Sequence, residues 1–187
     1  MNKIKISIAV SFLISCSFTN YLYSAEVSQN HASTINNENI LQSSTKVEIG
    51  IESILKEGDD YIISVYAINP FDEIAGIQFK ILKEDLFNIE SVYGGKTSDK
   101  DFSMHFNKKG TILGFSMVGE TIERTSTSSH KDKKIKNILF YAKAKANRLI
   151  EYLNNSNETL QMETILASKS GKTLSSKFIP FNLSNIK

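Results

Sequence analysis

Residues 75–82 read AGIQFKIL: a small-residue pair leads into strict alternation, with Ile77, Phe79 and Ile81 on one face and Gln78 and Lys80 on the other. Successive side chains of a strand point to opposite faces, so this stretch predicts a half-buried β-strand approached tightly at Gly76. The same pattern recurs on both sides. KVEIGIESIL (46–55) sets Val47, Ile49 and Ile51 against Glu48 and Glu52, and KEGDD (56–60) is a turn by composition. YIISVYAIN (61–69) is rich in β-branched and aromatic residues and closes at Pro70. LFNIESVYGG (86–95) carries Phe87, Ile89 and Val92 before a double-glycine stop.

Further along, FSMHF (102–106) predicts Phe102, Met104 and Phe106 inward, and TILGFSM (111–117) predicts Leu113, Phe115 and Met117 inward. The intervening NKKG, ending in Gly110, is a hairpin signal. NILFYAKAKA (137–146) and METILASKSGKTL (162–174) supply two more candidate strands, the second broken by a turn at Ser170-Gly171. KEDLF (83–87) and NRLIEYLNN (147–155) are the helix-like fragments. About eight or nine short strands separated by turns predict an all-β fold, an antiparallel two-layer sandwich.

The chain has 187 residues, 41% hydrophobic and 22% charged, enough for one domain with its own core. Its formal charge is +2, and taking away the leader residues Lys3 and Lys5 leaves 20 basic against 20 acidic residues. A chain that is neutral once the leader is removed lacks the basic footprint that nucleic acid requires. Cys16 is the one cysteine and lies in the leader, so residues 46–187, read here as the folded domain, are held by packing rather than by a disulfide.

Residues 1–25 have the form of an export signal: Lys3 and Lys5, the apolar ISIAVSFLIS, then a more polar stretch. The apolar run is short for a membrane span, which needs about 18–20 residues. Two cleavage readings stand open. LISC (13–16) resembles a bacterial lipobox, with cleavage before Cys16 and lipid attachment to it; the other reading is ordinary cleavage near Ala25. Residues 26–45, rich in Asn, Ser, Gln and Thr, form a polar flexible linker. The expected location is therefore the cell envelope, by lipid anchor, or the secreted or periplasmic space.

Signals for chemistry are weak. His31, His105 and His130 share no zinc-ligand spacing, so no metal and no cofactor are expected. SKSGKT (168–173) ends like a phosphate-binding loop, yet Leu166 stands where its first glycine belongs, so Ser170-Gly171 reads as a hairpin turn. Asp59-Asp60 and Asp99/Asp101 follow no calcium-loop spacing with a closing Glu. KDKKIK (131–136) reads as a solvated loop. Trp is absent, so a sugar would have to stack on Tyr61, Tyr66, Tyr93 or Tyr141.

The order of these segments resembles that of the cohesin domain and the wider cohesin-like carbohydrate-binding superfamily. EIAGIQFKI (73–81) is similar to the family's approach to its third strand, FNIESVYGG (87–95) to the next strand, and GTILGFSMVGETI (110–122) to the second strand of its hairpin. ILFYAKAK (138–145) and ILASKSGKTL (165–174) fit its last two strands, so the resemblance spans roughly 46–178. ETIERTSTSSHKDKKIK (120–136) departs from it as a longer, more polar loop.

The resemblance implies a nine-stranded jelly roll without catalysis. It implies a protein partner, dockerin-like, bound on one flat sheet face, with polysaccharide as the alternative ligand and the membrane reached through a lipid anchor alone. Calcium in such a pair belongs to the dockerin. If the third, sixth and seventh long strands share that face, its outward residues are Gln78, Lys80, Ile112, Ser116, Leu139, Tyr141 and Lys143.

Overall fold

A computed structural model describes residues 46–126, 135–153 and 157–187. The leader with Cys16, the linker with His31, and residues 127–134 of the long polar loop, with His130, lie outside the described residues. Among the described residues there are twelve strands: β1 (Val47–Glu57), β2 (Asp60–Ile68), β3 (Gly76–Ile81), β4 (Phe87–Tyr93), β5 (Phe102–Phe106), β6 (Thr111–Ser116), β7 (Asn137–Ala146), β8 (Thr159–Leu160), β9 (Met162–Ala167), β10 (Thr173–Leu174), β11 (Ser176–Ile179) and β12 (Phe181–Asn182). Three of them, β8, β10 and β12, are two-residue ladders, so the longer strands number the expected nine.

The nine longer strands and β10 form two five-stranded sheets, in the orders β11-β1-β2-β7-β4 and β10-β9-β3-β6-β5. Neighbours run antiparallel except β1 and β11, which pair in parallel from Val47↔Ser176 to Gly50↔Ile179. Apart from the β1–β2, β5–β6 and β9–β10 hairpins, each connection between these long strands crosses from one sheet to the other, giving the expected jelly-roll sandwich.

Tight turns sit where composition puts them. Glu57 pairs with Asp60 across Gly58-Asp59, with Gly58 at φ +63°, the conformation that glycine adopts without a steric cost. Asn107 to Gly110 closes the β5–β6 hairpin: the Asn107 side chain accepts from the Thr111 N–H at 3.0 Å, and Gly110 takes φ +87°.

The core lies between the sheets. Val47, Ile49, Ile51 and Ile54 of β1, Ile63 and Val65 of β2, and Phe140, Ala142 and Ala144 of β7 face Ile77, Phe79 and Ile81 of β3. Phe79 meets Phe140 edge to face, with ring centroids 5.4 Å apart. Burying one such side chain is worth about 2–3 kcal/mol. The inward faces expected of β1 and β3 are the observed ones.

Three β-bulges shape the first sheet and none interrupts the ladders of the second. Glu52 is the extra residue in β1, Leu139 in β7 and Glu90 in β4. Each bulge shifts the two-residue period by one, which is why Ile51 and Ile54, three apart, are both buried.

Several expectations are corrected. β6 has the opposite phase: Ile112 and Gly114 face the core, while Leu113 is 41% exposed. The strand is apolar on both faces, so alternation gave no means of choosing between them. Phe106 keeps its inward phase but runs past the core and is 42% exposed. KEDLF is a turn, with the Leu86 N–H donating to the Lys83 carbonyl, rather than a helix. A short helix was not foreseen at the double glycine: α1 (Gly95–Asp99) follows Gly94 and lies against β7, close enough that a Cβ on Gly95 would stand 2.5 Å from the Leu139 carbonyl oxygen. The second fragment does hold a helix, α2 (Leu149–Leu153).

Candidate functional site

The assumed binding face is split by the fold. β3 and β6 belong to the second sheet and β7 to the first, so Gln78, Lys80 and Ser116 lie on a different sheet from Tyr141 and Lys143. Two expected surface residues are in the core: Ile112 is 1% exposed because β6 has the opposite phase, and Leu139 is 0% exposed at the β7 bulge. Ser116, at the end of β6, uses its hydroxyl to accept from the Glu120 N–H at 3.1 Å and so fixes the following turn.

Gln78 and Lys80 do stand on an outer face, and register shows what surrounds them. Ile165, Gln78, Leu113 and His105 are paired in one row across β9, β3, β6 and β5. Directly opposite residues on neighbouring strands share a face, so these four project from the same side of the sheet. The adjoining row is Ala167, Gly76, Phe115 and Ser103, and the next is Glu163, Lys80 and Thr111.

The middle of this face is apolar and uncovered. Ile165 is 45% exposed, Leu113 nearly as much, and between them Gly76, Phe115 and Ala167 line a shallow hollow of about 160 Å3. Gly76 carries no side chain there, which keeps the hollow open between its neighbours. The rim is polar. His105 stacks on Phe115, centroids 6.0 Å apart and planes 20° from parallel, and sits 3.1 Å from the Ser103 hydroxyl. Lys80 lies opposite Glu163 and pairs with Glu84 at 3.2 Å. An apolar centre inside a polar rim is the chemistry of a protein-recognition surface.

Sequence reasoning missed Leu113, Phe115, Ile165 and His105 as neighbours. The signal was there in TILGF: with Gly114 taken as the inward residue, Leu113 and Phe115 must point out.

Among the described residues no group of three or more His, Cys, Asp or Glu side chains is placed to hold a metal ion. Asp60 instead pairs with Lys143 at 2.8 Å, and that bond raises the Lys143 ammonium above its ordinary range. At the opposite end, Glu123 accepts from Lys100 at 2.8 Å, and this contact holds its carboxyl below the usual range.

No family model matches the chain, and no curated protein matches it in sequence. Among solved structures it is similar to a non-cellulosomal cohesin from the hyperthermophilic archaeon Archaeoglobus fulgidus, at 15% identity and a TM-score of 0.49, covering 73% of this chain and 88% of that one. It is similar also to a chain of the Coh-OlpC–Doc435 cohesin–dockerin complex from Clostridium thermocellum, at 11% identity and 0.49, covering 75% and 95%. A chain of the Coh-OlpA–Doc918 complex from the same organism gives 12% and 0.45, covering 73% and 96%. By its own strand order, the described domain is a two-sheet, mostly antiparallel β-sandwich of jelly-roll type.

Proposed function

We propose that this domain is a non-catalytic protein-binding module that holds a folded partner, dockerin-like in kind, on the outer face of β9, β3, β6 and β5. The observation that carries the reading is the uncovered row Ile165–Gln78–Leu113 beside Phe115. A flat apolar centre of this kind loses contact with water only when a partner of complementary shape lies across it. The cohesin-like order of segments points the same way. Gln78 and Lys80 remain in the proposed site; Ile112, Leu139, Tyr141 and Lys143 leave it, and so does Ser116, which pairs with the buried Phe102 on the inner face of β6.

The export reading is proposed with it. Lipid attachment at Cys16 and a polar tether over 26–45 would hold the module at the cell envelope, while cleavage near Ala25 would release it. Palmitate labelling of producing cells separates the two: label on the protein that is lost in Cys16→Ala supports the anchor, and an unlabelled mature chain removes it.

The binding test immobilises the full-length chain and exposes it to extract of its producing organism, with and without calcium. A protein retained with calcium and lost with Leu113→Asp plus Ile165→Asp supports the reading. An empty eluate, or a capture indifferent to that double substitution, overturns it.

A further inference from the structure

The outermost strands of the two five-stranded sheets each have one unpaired side, and a free strand edge is a row of N–H and C=O groups open to another chain. Most of these edges are blunted. β11 carries Lys177 and stops at Pro180, and β4 is bent by the Glu90 bulge, with its Ile89 N–H already donated to the Lys108 carbonyl. β9 is covered by the short β10 at one end, and farther along the Ser176 hydroxyl donates to the Thr164 carbonyl. β5, FSMHF, has none of these devices: its ladder to β6 is unbroken and it holds no Lys, Asp, Glu or Pro.

Register shows which groups of β5 are free. The Asn107 N–H donates to the Thr111 carbonyl, and directly opposed antiparallel pairs alternate between bonded and non-bonded. Ser103 and His105 therefore bond to β6, while Phe102, Met104 and Phe106 turn their N–H and C=O groups away from it. Among the described residues those outward groups have no other backbone partner.

The strand is also chemically symmetric about Met104. A second copy laid antiparallel, with Met104 opposite Met104, sets Phe102 against Phe106 and Ser103 against His105, and forms about six backbone hydrogen bonds. Phe106, 42% exposed at the end of its own strand, then gains an aromatic neighbour in Phe102 of the second copy.

The flanks carry opposite charges. Asp99 and Asp101 precede the strand, Lys108 and Lys109 follow it, and all four are exposed. Among the described residues Asp99, Asp101 and Lys108 have no ion pair, and Lys109 comes within 4.0 Å of Glu84. Within one chain the length of β5, roughly 17 Å, keeps the two groups apart. The register centred on Met104 brings each lysine pair to the aspartate pair of the other copy, where opposite charges across strands are favourable.

We propose that β5 pairs with β5 of a second copy, antiparallel and centred on Met104, joining two five-stranded sheets into one continuous sheet. The pairing uses the strand edge rather than the outer face of Leu113 and Ile165, and stands independently of the partner reading.

The test is sedimentation equilibrium of the full-length chain under reducing conditions, and a dimer is expected. Met104→Pro removes one outward N–H without touching the β6 ladder and should give a monomer. Lys108→Glu plus Lys109→Glu should weaken the dimer about ten-fold. Asp99→Lys plus Asp101→Asn should do the same, with asparagine chosen because it tolerates the φ of +49° at that position. Mixing these two variants should restore dimers, because each then meets opposite charge on both flanks. Leu113→Asp plus Ile165→Asp should leave the dimer unchanged. A native chain that stays monomeric, a dimer indifferent to Met104→Pro, or a mixture no tighter than its two components would overturn the proposal.

Discussion

Asn69 and Thr125, 56 residues apart, hold each other by a reciprocal pair of hydrogen bonds: the Asn69 N–H donates to the Thr125 hydroxyl at 3.0 Å, and the Thr125 N–H donates to the Asn69 carbonyl at 3.3 Å. The fully buried Asn69 amide also donates to the Asp72 and Glu123 carbonyls and accepts from the Asn137 amide. The first part of the long polar loop, Glu123 to Thr125, and Asn137 directly after the loop are thereby fastened to the end of β2.

Replacing Asn69 by Leu keeps the volume and strands the Asp72 carbonyl and one N–H of the Asn137 amide, whose other N–H still donates to the Glu123 carbonyl at 2.9 Å. Leaving buried polar groups unpaired costs about 1–3 kcal/mol each, less where water reaches them. Urea unfolding should show a loss of about 2–4 kcal/mol with the slope unchanged. A loss within error would mean that water replaces the amide without cost.

Two glycines with the same sign of φ should respond differently. Gly119 (φ +80°) has nothing within 4 Å of a new Cβ, so Gly119→Ala meets backbone strain alone, about 1–2 kcal/mol. Gly95 (φ +63°) would add a Cβ 2.5 Å from the Leu139 carbonyl, so Gly95→Ala must also push α1 off β7. Thermal melts should show the larger drop in Gly95→Ala; equal drops would refute the close approach.

Leu113 and Leu139 both come from strands read as apolar, yet aspartate at each should act differently. Leu113→Asp sits in solvent and should leave the melting temperature nearly unchanged. Leu139→Asp buries a charge and should prevent folding, an effect of several kcal/mol. Circular dichroism of the two variants decides between the assigned phases.

The Lys100–Glu123 pair gives a pH dependence of known sign. Its folded carboxyl titrates below the ordinary value, with the Lys100 hydrogen bond the largest cause. The pair's stabilisation is therefore complete above the unfolded carboxylate's range and is lost as pH falls through the lowered folded value. Glu123 is half exposed, so the effect is small and screened by salt. Melting temperatures of the native chain and Lys100→Met should differ slightly near neutrality, converge in acid, and converge in high salt at any pH. A gap that persists in acid would contradict this.

What the sequence alone determined was local. Alternation in 47–51 and 77–81 marked the inward faces of β1 and β3, because those stretches oppose apolar to polar residues without ambiguity. Gly58, Gly110 and Gly171 marked hairpin turns, because a positive φ is cheap for glycine and costly for its rivals. The order of the segments carried the sandwich.

What tertiary structure decided was the phase of ambiguous strands and the sheet each one joins. β6 is apolar on both sides, and Gly114 faces inward because there a Cβ would collide with Met104 and Ile77 from neighbouring strands. The bulges at Glu90 and Leu139 exist only through pairing with distant partners, and each turns the residues beyond it over. So Leu139 went into the core, Tyr93 came out beside Tyr141, and β7 left the face that β3 and β6 share. A two-residue period is written in neighbouring side chains; register and sheet membership are set by hydrogen bonds between residues far apart in the chain, and no short stretch contains them.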